Sequence, residues 1–423
     1  VSATDPLGGT RTWTYDAVGN VLTETDPIGR TTEYAYDVLD RLVLETDPAG
    51  GTTRYTYDAV GNLISLSDPL DNRWTFAYDT RDRLIGESDP LGQSRTYAYD
   101  DAGNRVRQTD RNGRVTEFTY DLLDRVQEER WWDGDELVKS LVYTYDAAGN
   151  LLSAQDDVSR YVYTYDTLGR TLSVDNGGTP GAPHVVLTQQ FDASGNRLLV
   201  EDNLGTAVAS SFDARQQLAT RTWTVAGGDV TRIEVTRNPL GQPAALDRFA
   251  PSGGGWQPAG ESAFAYDAKG RLTDLTHRDP LGAVLADYDY DRDLADQLLE
   301  ESHHGQTSTY AHDRNGQLIA AEHSLEDDEA YAYDAGGNRA GADAATGLGN
   351  RLEADARYTY QQDAEGNRIL RTDRLTGETT RDTYDHRNRL TAVQGYSAGG
   401  ELQFQVQYTY DVFDRRIARA ADS

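Results

Sequence analysis

Apolar and polar residues alternate along short stretches of this chain, and turn residues interrupt the alternation at regular intervals. Between Thr31 and Tyr36, for example, Tyr34 and Tyr36 fall on one face and Glu33 falls on the other. A period of two is typical of β-strands. The runs are rich in Val, Leu, Thr and Tyr and are bounded by Gly, Pro, Asn and Asp, which predicts strands of about six residues.

Two turn signatures alternate between the predicted strands. One follows a Tyr-Asp pair and ends in Gly-Asn or Asp-Arg. The other is Asp-Pro-x-Gly, in which each residue type suits its position in a tight turn. We interpret each copy as one β-hairpin plus the turn to the next. The Tyr-Asp pair recurs every 21 residues in six successive copies: Tyr15 and Asp16, Tyr36 and Asp37, Tyr57 and Asp58, Tyr78 and Asp79, Tyr99 and Asp100, Tyr120 and Asp121.

The repeat continues with drift along the rest of the chain, giving about 18 copies, and such self-similarity is typical of a repeat architecture. The sequence predicts a single domain over residues 1–423, with regular copies in 5–130 and longer, irregular copies in 131–423. Residues 341–355 are the least strand-like and are expected to form a loop or a short helix.

An isolated hairpin is only marginally stable in water, so the copies are expected to pair edge to edge. About 36 strands, spaced about 4.8 Å apart, would make a ribbon of about 170 Å, and a twisted sheet of that extent must curl. The predicted fold is all-β: repetitive antiparallel hairpins forming one continuous spiralling sheet, part of a hollow shell. Whether the ribbon is long enough to close is left open.

The composition narrows the range of partners. A formal charge of −30 and a pI near 4.5 disfavour nucleic acid and anionic membrane surfaces. No stretch approaches the run of about 18 apolar residues that a membrane helix needs, so membrane insertion is not expected. The chain has no cysteine, so it forms no disulfide and offers no thiol for catalysis.

The sequence offers no convincing catalytic, cofactor-binding or metal-binding residues, and we expect neither enzyme activity nor a cofactor. Asp289, Asp291, Asp293 and Glu300 have the spacing of a calcium-binding EF-hand loop, but Leu294 replaces the required Gly. Alternating aspartates on a strand are the preferred interpretation. The Tyr-Asp aspartates occur in equivalent copies, whereas catalysis needs one pair in differing environments. We expect them to accept hydrogen bonds from turn amides.

Two adjacent tryptophans stand out in a copy where Asp133-Gly134 replaces the Asp-Pro-x-Gly turn. Trp131 and Trp132, together with Trp256, are candidates for an exposed patch that contacts sugars or protein. The alternative is that one of the two adjacent rings packs on the sheet.

The stretch YTYDAVGNLISLSDPLDNRWTFAYD (Tyr55–Asp79) and its neighbours resemble the YD repeats of the RHS family, the rearrangement-hotspot proteins of bacteria, and of the related animal teneurins. The resemblance covers the whole chain. It implies a hollow shell that, in bacterial members, encloses or displays a toxic C-terminal domain. It also implies a secreted or cell-surface bacterial protein whose partner is the rest of its own parent chain, cargo domain included.

Neither the self-cleaving RHS core segment nor a C-terminal toxin is recognisable in the sequence. The cleavage function is therefore assigned to no residue, and we expect the chain to be a fragment whose end strands associate end to end. The leading hypothesis is a non-catalytic structural scaffold, the wall of such a shell. The alternative is an extracellular adhesion module that binds glycans or a cell-surface protein. A curved, closed wall favours the first and an exposed aromatic patch favours the second.

Overall fold

The computed structural model describes residues 1–177, 179, 182–341 and 344–422, and it consists almost entirely of antiparallel strands. Each strand of the first ladder pairs with the next strand in sequence. The strands of this ladder are β1 Ser2–Thr4, β2 Thr10–Tyr15, β3 Val21–Thr25, β4 Thr31–Tyr36, β5 Leu42–Thr46, β6 Thr52–Tyr57, β7 Leu63–Ser67, β8 Arg73–Tyr78, β9 Leu84–Ser88, β10 Ser94–Tyr99, β11 Arg105–Thr109, β12 Val115–Tyr120, β13 Val126–Asp133, β14 Glu136–Tyr145, β15 Leu151–Gln155, β16 Arg160–Tyr165, β17 Thr171–Asp175, β18 Val186–Phe191, β19 Arg197–Asp202, β20 Ala207–Phe212, β21 Leu218–Val225, β22 Gly228–Arg237, β23 Pro243–Ser252, β24 Gly255–Tyr266, β25 Leu272–Arg278, β26 Val284–Arg292, β27 Leu298–His303, β28 Gln306–His312, β29 Leu318–His323 and β30 Glu329–Ala330.

The ribbon then continues through one short pair and a second long ladder. The remaining strands are β31 Ala332–Tyr333, β32 Arg339–Ala340, β33 Ala345–Gly347, β34 Arg351–Ala354, β35 Tyr358–Gln362, β36 Arg368–Asp373, β37 Thr379–Tyr384, β38 Leu390–Tyr396, β39 Leu402–Tyr410 and β40 Arg416–Asp422. The predicted all-β hairpin sheet is confirmed, with breaks in the hydrogen-bond ladder on either side of the β31–β32 pair. In the segment expected to be a loop or short helix, Leu348–Asn350 form a single 3-10 turn, while residues 342 and 343 lie outside the described residues.

A β-bulge accompanies the Tyr-Asp pair in hairpin after hairpin. Thr56 pairs with Ser65, but Tyr57 pairs with Leu63, so Ile64 is an extra residue in the second strand. The same register shift occurs at Tyr-Asp pairs from one end of the chain to the other. A bulge bends its strand and increases the local twist. Repeating it at one edge in alternate strand pairs makes the ribbon curl.

The ribbon closes a full winding and begins a second one beneath the first. Nη1 of Arg30 donates a hydrogen bond of 2.9 Å to Oε1 of Gln297, 267 residues later. The amide of Val412 donates one of 2.9 Å to Oγ of Ser159, 253 residues earlier. One winding therefore takes about 23 strands, or about 110 Å of sheet measured across the strands. The ribbon is therefore long enough to complete one winding and to overlap itself.

The apolar core is small because both faces of a single-layer sheet remain largely accessible to solvent. One cluster of buried apolar side chains lies where the second winding meets the first. It is formed by Trp131, Leu141, Ala154, Tyr161 and Val412. Outside this cluster, the hydrogen bonds between strands and within the turns must therefore supply most of the stability of the fold.

Replacing Leu141 with Ala should lower the free energy of unfolding by about 2–5 kcal/mol, because the fully buried side chain leaves a cavity in this cluster. Denaturant titration followed by tryptophan fluorescence measures the loss. Leu122→Ala is the matched control: its side chain is fully exposed at a turn, and the change should stay within about 0.5 kcal/mol. Equal losses in the two variants would contradict this location of the core.

Candidate functional site: the turn ladder and the seam between windings

The hairpin turns form two rows, one along each edge of the ribbon. One edge is made by the turns at the Tyr-Asp pairs, and we call it the Tyr-Asp edge. It includes equivalent turns that lack the pair, such as residues 238–242 and 348–350. The opposite edge, made by the Asp-Pro-x-Gly turns and their equivalents, is the Asp-Pro edge. The Tyr-Asp edge of the second winding meets the Asp-Pro edge of the first, and this contact is called the seam.

Each Tyr-Asp turn is organised by its aspartate. The amide of Asp58 donates to the carbonyl of Asn62, and the amide of Gly61 donates back to the carbonyl of Asp58. Oδ1 of Asp58 accepts from the amides of Val60, Gly61 and Asn62 at 2.8–3.0 Å. Desolvation opposes ionisation, but these hydrogen bonds hold the pKa of Asp58 below its usual value. The carboxylate thus holds the turn closed, as expected from the sequence.

The tyrosine of the pair ties its hairpin to the preceding one. Oη of Tyr57 donates to the carbonyl of Leu42 at 2.9 Å, and Oη of Tyr78 donates to that of Leu63 at 3.0 Å. Tyr99 and Tyr120 repeat the contact with Leu84 and Arg105. Tyr15 and Tyr36 occupy the same position at the ends of β2 and β4.

The alternation between Gly-Asn and Asp-Arg turns has a physical explanation. Nδ2 of Asn62 bonds to Oδ2 of its own Asp58 at 3.1 Å and to Oδ1 of Asp82 in the next Tyr-Asp turn at 2.9 Å. From that turn, Nη1 of Arg83 reaches the carbonyl of Asp100 in the following one at 2.9 Å. The pairs Asn20–Asp40 and Asn104–Asp124 repeat the first link, and Arg41 and Arg125 repeat the second.

These links need an acceptor side chain at a left-handed backbone position. Asp40, Asp82 and Asp124 have φ values of 58–59°, where the Gly-Asn turns have glycine. Aspartate tolerates this region better than most residues and supplies the carboxylate that the preceding asparagine needs. The two turn types therefore form one directional hydrogen-bonded ladder along the Tyr-Asp edge. The alternation is visible in the sequence, but the links between turns are not.

One part of the seam is ionic and buried. The side chain of Glu365 in the second winding is fully buried and accepts hydrogen bonds from the guanidinium of Arg95 and the amide of Arg111, both in the first winding. Burial opposes ionisation of Glu365, yet the bond from Arg95 and the amide of Arg111 lower its pKa overall. Arg111 also contacts Glu87 at 3.1 Å. A carboxylate that belongs to one winding is therefore neutralised by the other.

A second part of the seam is an amide network around Asn350. Its Nδ2 donates to Oδ2 of Asp68 at 2.9 Å, and its Oδ1 accepts from Nδ2 of Asn72 at 3.1 Å. Oδ1 of Asn72 accepts from the amide of Gly349 at 2.8 Å. Asp68 and Asn72 are both buried. The 3-10 turn in the irregular segment is thus a seam contact.

The third part of the seam is the apolar cluster. Val412 is 1% exposed and packs with Tyr161, whose Oη donates to Oδ2 of Asp411 at 2.9 Å. Burial and this bond to Asp411 raise the pKa of Tyr161. Sequence reasoning missed Asp411, Val412 and Glu365, because nothing in their local motif marks them as contact residues.

The tryptophan pair does not form the exposed patch considered from the sequence. Trp131 is 2% exposed, its ring stacks on His386 of the second winding at 5.3 Å, and its Nε1 donates to Glu129. Because Trp131 is buried in the seam, it cannot belong to an exposed patch. This matches the alternative, in which one of the two adjacent rings packs on the sheet. Trp132 and Trp256 are half-buried, and the carbonyl of Trp132 accepts from Nε2 of His386.

The contacts described above hold the two windings together. Among the described residues, no group of three or more His, Asp or Glu side chains is arranged to hold a metal ion. Asp289 and Asp291 lie on strand β26, and Oδ2 of Asp289 accepts a hydrogen bond from Ser302. In the same described ranges, no helix is long and apolar enough to cross a membrane.

Asp58→Ala should lower the free energy of unfolding more than a change at an exposed turn position does, because three turn amides lose their acceptor. Asp101→Ala removes the same charge from an exposed position in a nearby turn, and its effect should stay within about 0.5 kcal/mol. Denaturation midpoints of both variants provide the comparison. If both lose the same stability, net charge and not turn closure is responsible.

Acid should weaken the seam through Glu365. Because its pKa is lower in the folded chain, its contribution is complete above about pH 4.5 and is lost as the pH falls through the folded pKa. Glu365→Gln should therefore lower the free energy of unfolding by about 2 kcal/mol at pH 7 and by progressively less below pH 4. The exposed Glu326→Gln is the control. A pH-independent difference between Glu365→Gln and the unmodified chain would refute the ionic role.

Comparisons with known proteins agree with this architecture. The RHS Repeat family matches residues 1–27, 15–52, 39–73, 57–94, 78–113 and 99–136. The toxin protein Tse5 of Pseudomonas aeruginosa is 31% identical over 197 residues, which cover 43% of this chain and 14% of Tse5. The chain therefore spans a small part of that relative.

Two crystal structures have the same fold over almost all of the chain. TcdB2-TccC3-TEV superposes with a TM-score of 0.71 at 17% identity and TcdB2-TccC3-Cdc42 with 0.73 at 15%, each over 95% of this chain. The chain spans 24% and 26% of those two chains. At such identities the likeness shows the fold alone. Residues 1–136 therefore match the RHS Repeat family by sequence, and the hairpin unit that recurs beyond them has the fold of these two structures.

Proposed function

We propose that this chain is the wall of a shell that encloses a C-terminal toxin domain of the same polypeptide, and that it has no catalytic role of its own. The observation that carries the proposal is the closed winding. Contacts between residues about 250–280 positions apart join the two windings along much of a full turn. A ribbon that closes on itself separates an inside from an outside, which an open sheet does not.

The construction of the wall supports this role. A sheet used as a partition can remain one layer thick, and its small apolar core fits a single layer. The ladder of turn contacts and the ion-paired seam stiffen the edges, where a single layer is otherwise weakest. Burial of Trp131 removes one of the aromatic candidates for the alternative, an adhesion module.

The similar proteins support a C-terminal cargo and a place of action outside the producing bacterium. Tse5 is named a toxin protein. Another similar structure, with a TM-score of 0.66, is TcdB2-TccC3 without its hypervariable C-terminal region. We infer that the parent polypeptide of this chain likewise continues into a variable cargo domain and is secreted or displayed at the cell surface.

Locking the winding should keep a cargo domain protected from protease. The chain has no cysteine, so a pair can be introduced across the seam: Asn112→Cys with Ala364→Cys, where the amide of Ala364 donates to Oδ1 of Asn112 at 3.0 Å. In the full-length parent polypeptide under mild oxidation, this pair should form a disulfide. The region downstream of residue 423 should then resist protease at denaturant concentrations that expose it in the reduced protein.

The control pair is Asn112→Cys with Ala102→Cys, since Ala102 lies at the opposite edge of the same winding, about 20 Å away. It should neither cross-link within the chain nor change protection. Failure of the seam pair to cross-link would overturn the closed winding. A cross-linked shell whose downstream region is digested as fast as in the reduced protein would overturn enclosure and leave the fold intact.

A further inference from the structure

The four-residue sequence Asp-Arg-Asn-Gly occurs twice in the chain, as residues 110–113 and 313–316, and both copies form turns at the seam. The first copy lies between β11 and β12, on the Asp-Pro edge of the first winding. The second lies between β28 and β29, on the Tyr-Asp edge of the second winding. The two copies therefore contact the seam from opposite sides.

In each copy, the asparagine binds a turn of the other winding through both polar atoms of its side chain. Its Nδ2 donates to the aspartate that organises that turn, and its Oδ1 accepts from a backbone amide of the same turn. The contacts are Asn112 with Asp363 and Ala364, at 2.9 and 3.0 Å, and Asn315 with Asp47 and Ala49, both at 3.1 Å. These contacts need an amide, because an ionised aspartate at the same position has no proton to donate.

An asparagine that precedes glycine is chemically labile, since glycine has no side chain to hinder attack by its backbone nitrogen. In the first copy, the nitrogen of Gly113 forms a bond to Cγ of Asn112. The bond from Cγ to Nδ2 breaks, and Nδ2 leaves as ammonia with the proton from the glycine nitrogen. Water then opens the cyclic imide to aspartate or isoaspartate. Asn315 and Gly316 form the same pair, and both asparagines are exposed to solvent.

The closed winding opposes this reaction at both sites. The side-chain amides are held across the seam, and the attacking nitrogens are themselves engaged in hydrogen bonds within their turns. The amide of Gly113 donates to the carbonyl of Asp110 at 3.0 Å, and that of Gly316 donates to the carbonyl of Asp313 at 3.1 Å. Opening of the seam releases the asparagine side chains and so removes part of this protection.

We propose that Asn112 and Asn315 are deamidation sites that react when the seam opens, and that their products keep the seam from closing again. A carboxylate at residue 112 would face Asp363, and one at residue 315 would face Asp47, where Nδ2 of the asparagine now donates a hydrogen bond. Two carboxylates at such a separation repel each other. A winding that stays open is thereby fixed in the open form, whatever the wall encloses.

Peptide mass spectrometry during incubation of the chain at neutral pH tests the first part of the proposal. Asp363→Asn removes the carboxylate that Asn112 binds, while its remaining Oδ1 still accepts from the turn amide. This variant should speed deamidation of Asn112 about tenfold and leave Asn315 unchanged. Asp47→Asn should have the opposite selectivity.

The third Asn-Gly pair, Asn176-Gly177, is the internal control. Nδ2 of Asn176 donates to the carbonyl of Pro183 in the same hairpin, so its rate should be the same in the unmodified chain and in both variants. In denaturant, all three sites should react at similar rates. Equal acceleration of every site in either variant, or acceleration of none, would overturn the proposal.

Asn112→Asp/Asn315→Asp carries the product at both sites and tests the second part. It should lower the denaturation midpoint, and the loss should shrink as sodium chloride is raised, because salt screens the repulsion between carboxylates. Asn112→Ala/Asn315→Ala removes the same hydrogen bonds without adding charge, so its loss should be smaller and independent of salt. A double aspartate variant that is as stable as the double alanine variant would overturn the role of the product.

Discussion

The hydrogen bonds that turn aspartates accept from backbone amides are the constraint on which this structure depends. Asp58 at the Tyr-Asp edge and Asp26 at the Asp-Pro edge make the same contacts, each Oδ1 accepting from the amides two and four residues later. In a fold with a two-layer core, burial of one face would fix the strand register. A single-layer sheet buries little apolar surface that could fix the strand register. The turns therefore set where each strand begins and ends.

Curvature follows from the same local chemistry. The bulges at the Tyr-Asp pairs lie in alternate strand pairs at one edge and outnumber the register shifts in pairs joined at the opposite edge, such as β25–β26, so their bending accumulates in one direction. The Asn62–Asp82 and Arg83–Asp100 links then hold successive turns at a constant spacing along that edge. The bulges bend the ribbon and the turn ladder fixes the spacing of its turns. Together they bring residues about 250–280 positions apart into contact, although each acts only between neighbouring strands or turns.

The period, the hairpins and the turn roles of the aspartates could be predicted from the sequence because each is encoded within about 21 residues. The seam could not. Val38 and Val412 occupy nearly the same five-residue motif, but one is fully exposed and the other fully buried. The difference is that Val412 faces another winding and Val38 does not. Which turn faces another winding depends on the curvature summed over about 23 strands. The exposed-patch interpretation of Trp131 was wrong for this reason, since its partner His386 lies 255 positions away.

The two windings of a repeat ribbon could meet in many similar registers. If one winding slipped by one copy relative to the other, each turn at the seam would be replaced by a similar turn. The contacts that are not part of the repeat resolve this choice. Glu365 replaces the apolar residue or alanine that most Tyr-Asp turns have at its position, and a slip would leave its buried carboxylate without Arg95 and Arg111. An unpaired buried charge costs several kcal/mol, so even one such residue penalises the wrong register strongly. Residues such as Glu365, which depart from the repeat, therefore specify the register in which the two windings meet.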